Sequence, residues 1–204
     1  VWIANPNNPT GNFLPYAEVR AFLDSVPQNV VVVLDEAYNE YIPATERVDT
    51  TAWLKDFPNL LICRTFSKIY GLAGLRVGYG VASAEIADLM NRVRQPFNVN
   101  NLAIAGALAA LDDDAFLNAS YELNRRGMAQ IVEALEAHGL EYIPSYGNFV
   151  TFRAGDAAAV NQKLLKQGVI VRPIAGYGLP EWLRVTIGTE AENVRFIEAL
   201  AKVL

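Results

Sequence analysis

The sequence predicts an α/β domain built around a mostly parallel sheet, followed by a smaller α+β domain. Two continuous apolar runs, Val30–Leu34 and Leu60–Cys63, are typical of parallel strands covered on both faces. Beyond Gly139 the pattern changes, because short strands and helices are mixed along the remaining residues. A chain of 204 residues is long enough to bury a core in each of two such domains.

The first domain is predicted from a series of strand and helix segments. Pro15 suits the first position of a helix, and Pro27 and Pro96 each stop one. Asn101–Leu111 is rich in alanine, so we expect this helix to pack tightly. In chain order the segments are strand 1–4, helix 15–26, strand 30–34, strand 60–64, strand 76–82, helix 83–95 and helix 101–111.

A long helix is predicted to join the two domains. Acidic residues complement the dipole at a helix N-terminus, so we interpret Asp112–Asp114 as a cap rather than a metal site. The helix is expected to run to His138, with Gly139 as its C-cap. The second domain is predicted to contain strand 148–152, helix 157–167, strand 169–172, strand 183–187 and helix 190–204. We therefore expect a domain at 1–112, a connecting helix at 113–138 and a smaller domain at 139–204.

Composition and charge argue against several classes of protein. Hydrophobic residues make up 52% and charged residues 19%, which is typical of a globular chain. A net charge of -5 gives no basic field for nucleic acid or an anionic membrane. The single cysteine, Cys63, excludes an internal disulfide and is expected to be a small buried hydrophobe. We see no apolar run of membrane-spanning length and no signal peptide, so we expect a cytoplasmic protein.

The first residues of the chain have the character of an internal strand. Val1–Ala4 is apolar and has no polar residues before it. Such a strand needs neighbours on both sides, so we expect this sequence to be the C-terminal part of a longer protein.

Lys68 is the first candidate for a catalytic residue, and it lies shortly after the strand predicted at 60–64. Two hydroxyls, Thr65 and Ser67, precede it, and Arg76 follows. Hydroxyls and a guanidinium suit a phosphate, because both donate hydrogen bonds to its oxygens. Schiff-base chemistry needs a lysine that is held beside the phosphate site and whose amine is shifted toward its neutral form. The alternative for an isolated Ser-Lys pair is a solvated loop lysine.

Asp35 is the second candidate, because it follows the predicted strand 30–34. In open α/β sheets ligands bind beyond the carboxyl ends of the strands, which is where Asp35 is expected to lie. The alternative is a helix N-cap, a common role for aspartate.

Several segments together resemble the fold-type I pyridoxal-phosphate aminotransferases of the aspartate aminotransferase superfamily, most of all its histidinol-phosphate aminotransferases. The resemblance implies the large-domain portion of that fold with a mostly parallel sheet, a smaller α+β C-terminal domain and a homodimer. It extends over nearly the whole chain and rests on Asn5–Gly11, Asp35–Tyr38, Thr65–Tyr79, Asn148–Val150, Gly168–Pro173 and Leu183–Gly188.

The resemblance implies pyridoxal 5'-phosphate as the cofactor and assigns residues to it. Lys68 would attach the cofactor and transfer a proton during the reaction. Asp35 would pair with the pyridinium nitrogen, and Tyr38 would bind the ring oxygen and tune the lysine; these three are the candidate catalytic residues. The other cofactor ligands implied are Asn8 at the ring oxygen, and Thr65, Ser67 and Arg76 at the phosphate.

The resemblance also implies an amino donor and a 2-oxo acid as substrates. Arg184 would bind the carboxylate of an amino or oxo acid, and Arg184 and Arg172 together would bind the phosphate of L-histidinol phosphate. Asn148 lies in a family motif near the substrate, whereas a surface charge is the alternative for Arg172. The implied reaction is transamination with 2-oxoglutarate in histidine biosynthesis, and we expect no metal site, no nucleic acid and no membrane.

Three alternatives stay open at this point. The same motifs serve an aromatic amino-acid aminotransferase and a phospho-amino-acid decarboxylase of the same subgroup. The third alternative, from another class, is the aminotransferase-like ligand-sensing domain of a transcription regulator. A panel of amino donors separates the enzymes, and a winged-helix segment before Val1 would indicate the regulator.

Overall fold

The chain folds into two units, each with its own four-stranded sheet, in a computed structural model that describes all 204 residues. The first unit contains Val1–Pro6 and Phe13–Ser120, and the second contains Asn7–Asn12 and Tyr121–Leu204. The division therefore falls inside the long helix, whereas the sequence led us to expect residues 113–138 to connect two domains.

The sheet of the first unit has the strand order β1-β2-β3-β4. β1 pairs with β2 and β2 with β3 in parallel, and β4 is antiparallel to β3, so the expectation of a mostly parallel sheet is confirmed. Because parallel strands end at the same edge, β1, β2 and β3 deliver the residues that follow them to one place. The bounds are β1 (Trp2–Ala4), β2 (Val32–Asp35), β3 (Leu60–Thr65) and β4 (Gly78–Ala82).

Only the first of this unit's α-helices contributes to the core that covers this sheet. α1 (Tyr16–Ser25) directly follows Pro15 and buries Val19 and Leu23, which are one helical turn apart. The unit also contains α2 (Ala84–Val93), α3 (Asn101–Leu111) and a 3-10 helix at Thr50–Lys55. The core between α1 and the sheet consists of Val19, Leu23, Val32, Leu34, Trp53, Phe57, Leu60 and Ile62.

Several expectations about the strands of the first unit are wrong. β2 begins at Val32 rather than Val30, and the side chain of Val31 is 45% exposed. In the chain described here β1 lies at the sheet edge, and Trp2 is 66% exposed. β4 begins at Gly78 because Arg76 has a left-handed backbone (φ 53°), which interrupts an extended strand. Cys63 is half-buried rather than buried.

α2 and α3 expose most of their apolar side chains. The expected close packing of α3 occurs on one face only, where its buried residues Ala103 and Ala107 join a core with Phe66 and Val77. α2 has no buried residue, although its apolar residues share one face. The exposed apolar side chains of the two helices are Leu89, Met90, Val93, Leu102, Ile104, Leu108 and Leu111.

α4 (Asp114–Ala137) begins and ends within one residue of the predicted helix 113–138. Asp113 Oδ1 accepts a hydrogen bond from the backbone N–H of Phe116 at 2.9 Å, which is a capping contact at the helix N-terminus. At the other end Gly139 has a φ of +64°, the left-handed conformation that commonly follows a helix. The acidic run is therefore a cap, as predicted.

The second unit contains an antiparallel sheet with the order β5-β6-β8-β7. The expected strand at 169–172 is shorter than predicted, because only Arg172 and Pro173 pair with β8. β5 was not predicted. The elements are β5 (Tyr142–Ile143), β6 (Phe149–Arg153), α5 (Ala157–Lys166), β7 (Arg172–Pro173), β8 (Trp182–Thr186) and α6 (Glu190–Val203). None of the helices in either unit combines the length and the apolar character needed to cross a membrane.

One apolar core holds the second unit together. It joins the inner faces of β6 and β8 to α4, α5 and α6, so that the two central strands are fixed by helices. Its fully buried members are Ile131, Leu135, Val150, Phe152, Leu164, Leu183 and Leu200. Arg184 lies on β8 between two core residues and is held by the same strand.

Candidate active site

Asp35 and Thr65 lie on one face of the first unit's sheet, at the carboxyl ends of neighbouring strands. Asp35 is in register with Cys63 on β3, and Thr65 follows Cys63 by two residues. Because alternate residues of a strand share a face, Asp35, Cys63 and Thr65 point to the same side. Burial, with a smaller contribution from the charge of Asp35, raises the pKa of the Cys63 thiol. Asp35 Oδ1 accepts a hydrogen bond from the backbone N–H of Ala37 at 3.1 Å.

Lys68 occupies a tight turn just beyond β3. The backbone N–H of Gly71 donates to the carbonyl oxygen of Lys68 at 2.9 Å, and Ile69 is buried, so the turn is fixed on both sides of the lysine. The Lys68 Nζ lies 5.0 Å from the centroid of the Tyr38 ring. No carboxylate forms an ion pair with this half-buried amine.

Thr65, Ser67 and Arg76 form a group of hydrogen-bond donors beside this turn. Arg76 Nη1 donates to the carbonyl oxygen of Ala73 at 2.8 Å and contacts Ser67 Oγ at 3.4 Å. Thr65 Oγ1 accepts a hydrogen bond from the backbone N–H of Ser67 at 3.1 Å, which leaves its hydroxyl hydrogen free to donate. The left-handed backbone of Arg76 costs on the order of 1 kcal/mol, and such strain is concentrated at functional sites. The group suits an anion with several oxygens.

Arg184 is the centre of the candidate site in the second unit. Its Nη1 donates a short hydrogen bond to Asn8 Oδ1, and its guanidinium carbon lies 4.9 Å from the centroid of the Phe149 ring. The Arg184 Nε is buried and has no hydrogen-bond partner. Because a buried donor without an acceptor is unfavourable, this atom favours an acceptor supplied by a ligand.

Arg172 lies directly opposite Arg184 on the neighbouring strand β7. Like charges directly opposite each other on antiparallel strands repel, so the pair favours a bound anion. Asn148 lies at the start of β6, where its carbonyl oxygen accepts a hydrogen bond from the backbone N–H of Ile187 at 2.8 Å. The second unit thus brings together Asn8, Arg184 and Arg172, and it fixes the backbone of Asn148 on the adjacent strand.

Sequence reasoning missed a buried polar group in the first unit, on the face of the sheet opposite Asp35 and Thr65. Glu36 is 1% exposed and forms an ion pair with Arg64, in which Arg64 Nη2 lies 2.9 Å from Glu36 Oε2. Thr50 Oγ1 donates to Glu36 Oε1 at 2.6 Å. Burial raises the pKa of the Glu36 carboxyl, although the Thr50 hydrogen bond and the Arg64 charge oppose this shift. The sequence did contain a signal for this pair. Glu36 directly follows Asp35 and Arg64 directly precedes Thr65, so two opposite charges stand at the ends of two neighbouring strands.

The sequence profile of the aminotransferase class I and II family matches residues 1–200. The chain belongs to this family. The chain is 80% identical over 204 residues to histidinol-phosphate aminotransferase 1 of Dechloromonas aromatica (strain RCB), covering 100% of this chain and 56% of the relative. It is 63% identical over 204 residues to histidinol-phosphate aminotransferase 1 of Thiobacillus denitrificans (strain ATCC 25259 / T1), covering 100% of this chain and 53% of the relative.

The chain also matches a solved structure of a histidinol-phosphate aminotransferase. The crystal structure of histidinol-phosphate aminotransferase from Sinorhizobium meliloti in complex with pyridoxal-5'-phosphate superimposes with a TM-score of 0.92 at 33% identity. The match covers 100% of this chain and 56% of that chain. The expected resemblance and fold are confirmed, and the chain spans about half the length of the curated relatives it matches.

Proposed function

We propose that the protein containing this chain is a pyridoxal-phosphate-dependent aminotransferase that transfers the amino group of L-histidinol phosphate to 2-oxoglutarate in histidine biosynthesis. The 80% identity to a histidinol-phosphate aminotransferase along the whole chain supports the choice of substrate. A homodimer and a cytoplasmic location, which the resemblance and the composition led us to expect, belong to the same proposal.

The observation that carries the proposed chemistry is the shared sheet edge of Asp35 and the Thr65–Lys68 turn. The donor set fits pyridoxal phosphate, because a carboxylate, an amine without an ion pair and a group of phosphate donors occur within one unit. When bound, pyridoxal phosphate supplies an electron sink that favours loss of a proton from the carbon bearing the amino group.

Different residues of the first unit would bind different parts of the cofactor. Asp35 would hold a positive charge at the ring nitrogen through its carboxylate, and Arg76 with Ser67 would bind the phosphate. Lys68 Nζ would bind the cofactor covalently and, once released, would accept and return the proton of the substrate. The turn that fixes Lys68 keeps this amine beside the Tyr38 ring, so its position is set before substrate arrives.

The residues of the second unit would bind the anionic groups of both substrates. The guanidinium groups of Arg172 and Arg184 can bind the phosphate of the donor and, in the second half of the reaction, a carboxylate of 2-oxoglutarate. Asn8 and Phe149 orient Arg184 without neutralising its charge, because neither side chain is acidic. Its buried Nε gains the acceptor that the chain itself does not provide.

A panel of amino donors, assayed with the full-length protein and 2-oxoglutarate, tests this proposal. We expect L-histidinol phosphate to exceed unphosphorylated L-histidinol by at least about 100-fold in kcat/KM, because several charge-assisted hydrogen bonds are lost without the phosphate. Faster turnover of L-phenylalanine would indicate the aromatic aminotransferase, and release of carbon dioxide from a phospho-amino acid would indicate the decarboxylase. Cofactor binding without turnover of any donor would favour the ligand-sensing domain.

A further inference from the structure

A buried ion pair joins the ends of β2 and β3 on the face opposite the candidate site. Arg64 Nε and Nη2 both lie 2.9 Å from Glu36 Oε2. The side chain of Glu36 is 1% exposed and that of Arg64 is 18% exposed. Neither residue is among those that we propose to touch cofactor or substrate.

The position of the pair follows from the strand register. Glu36 directly follows Asp35, and Arg64 directly precedes Thr65. Because neighbouring residues of a strand point to opposite faces, Asp35 and Thr65 face one side while Glu36 and Arg64 face the other. The pair therefore spans the two strands directly behind the residues that would bind the cofactor.

Further contacts fix the pair from both sides. Thr50, which is fully buried, donates its hydroxyl hydrogen to Glu36 Oε1 at 2.6 Å, so both carboxylate oxygens are bonded. The backbone N–H of Glu36 donates to the carbonyl oxygen of Cys63 at 2.9 Å. On the far side Tyr79, the cross-strand partner of Arg64 on β4, contacts the Arg64 side chain. The pair thus connects three neighbouring strands.

Stability alone does not account for a buried ion pair. Removing two charges from water is unfavourable, and apolar residues of similar volume often replace such pairs with equal or greater stability. A fully hydrogen-bonded pair does, however, fix one arrangement of the groups that it joins. What it fixes here is the spacing of the two strand ends that carry Asp35 and the Lys68 turn.

We propose that Glu36 and Arg64 are positioning residues, whose ion pair sets the carboxyl ends of β2 and β3 so that Asp35 and the Thr65–Lys68 turn bind the cofactor together. This inference rests on the proposed function. Glu36→Gln removes the charge and leaves Arg64 without its ionic partner. We expect the dissociation constant of pyridoxal phosphate to rise by about 10- to 100-fold, by analogy with residues that orient the ligands of metal sites.

The experiment measures cofactor affinity in full-length protein, by titrating apoprotein with pyridoxal phosphate and following absorbance. It compares wild type, Glu36→Gln and the double variant Glu36→Met/Arg64→Met, with thermal unfolding of each apoprotein. The double variant replaces the pair by apolar side chains and is expected to unfold near the wild-type temperature. We expect its cofactor affinity to stay weak and its kcat to fall more than its KM for the amino donor rises.

Asp56→Asn is the matched control, because Asp56 forms an exposed ion pair with Arg20 in the same unit, at 2.7 Å and with side chains 55% and 42% exposed. We expect wild-type cofactor affinity in this variant. Recovery of wild-type cofactor affinity in the double variant would overturn the inference, because the pair would then serve only stability. Wild-type affinity in Glu36→Gln would overturn it as well.

Two outcomes remain to be separated. If neither variant of the pair folds, Thr50→Val removes only the hydrogen bond to Glu36 Oε1; weaker cofactor binding then supports the inference, and wild-type binding overturns it. If the wild-type full-length protein does not bind pyridoxal phosphate, the proposed function fails, and with it the premise of this inference.

Discussion

Replacing Arg184 by lysine keeps a positive charge on β8 but removes the planar guanidinium. In the unsubstituted chain, Arg184 Nη1 donates a hydrogen bond to Asn8, and the guanidinium lies over the ring of Phe149. Its Nε is buried and has no hydrogen-bond partner. Lysine carries its three donors on one nitrogen, so it cannot bind Asn8 and two oxygens of an anion in the same geometry. Arg184→Lys therefore tests whether the shape of this group, rather than its charge, binds the substrate.

The expected size of the effect follows from the contacts that are lost. A hydrogen bond to a charged group contributes about 1.5–3 kcal/mol, and the Arg184 Nε is the donor that the lysine cannot replace. At 1.4 kcal/mol for each factor of ten, losing one such bond lowers kcat/KM for L-histidinol phosphate by about 10- to 150-fold. We expect most of this loss in KM, because the bond exists in both the bound substrate and the transition state.

The assay is steady-state kinetics of the full-length protein with L-histidinol phosphate and 2-oxoglutarate. Arg153→Lys is the control, because Arg153 lies on the neighbouring strand β6 and forms exposed ion pairs with Glu181 and Glu141. Ion pairs between exposed side chains contribute little because water and salt screen them, so we expect wild-type kinetics. Equal losses in both variants, or wild-type kcat/KM in Arg184→Lys, would refute the role given to Arg184.

Three further outcomes are expected. Lys68→Ala abolishes turnover while cofactor still binds, and a covalent adduct that persists after borohydride reduction of this variant would exclude Lys68. Asp35→Asn lowers kcat by about 100- to 1000-fold with KM closer to normal, as loss of an electrostatic contact in the transition state should; an unchanged single-turnover rate would contradict this. The backbone N–H and hydroxyl of Thr189 lower the pKa of Glu192, so its contribution to stability is present above its unfolded-state pKa and is lost as pH falls through the folded-state pKa. In Glu192→Gln the free energy of unfolding should therefore fall less steeply as the pH is lowered. Urea unfolding of the 204-residue chain from neutral pH to about pH 3 checks this.

Local signals in the sequence predicted the helices well. α3 has the predicted bounds of Asn101–Leu111, and its preceding residue Asn100 accepts a hydrogen bond from Ala103 N. α6 begins at Glu190 as predicted, after a capping box formed by Thr189 and Glu192. These ends were predictable because a cap is decided by residues within one turn of each other.

Strand limits and pairing were less predictable, because they depend on residues far away in the chain. The apolar run at 169–172 has strand composition, but only its last residue pairs with β8. The alanine content of α3 indicated close packing, but only Ala103 and Ala107 of this helix are buried. A hydrophobic pattern identifies the apolar residues of a helix but not the elements that pack on them. Asn8 and Arg184 are 176 residues apart, so no local pattern predicts their contact.

The fold also gives arginines of the two units different kinds of partner. Arg76 and Arg184 are oriented by neutral acceptors, the carbonyl oxygen of Ala73 and the amide oxygen of Asn8, so their charges are fixed in place but not neutralised. Arg64 is instead paired with the carboxylate of Glu36. A carboxylate beside either of the first two would compete with an anionic ligand, whereas a neutral acceptor does not. All three look alike in the sequence, and the charge of the nearest acceptor, which only the fold reveals, distinguishes the two arginines that we propose to bind anions from the one that we propose to fix strands.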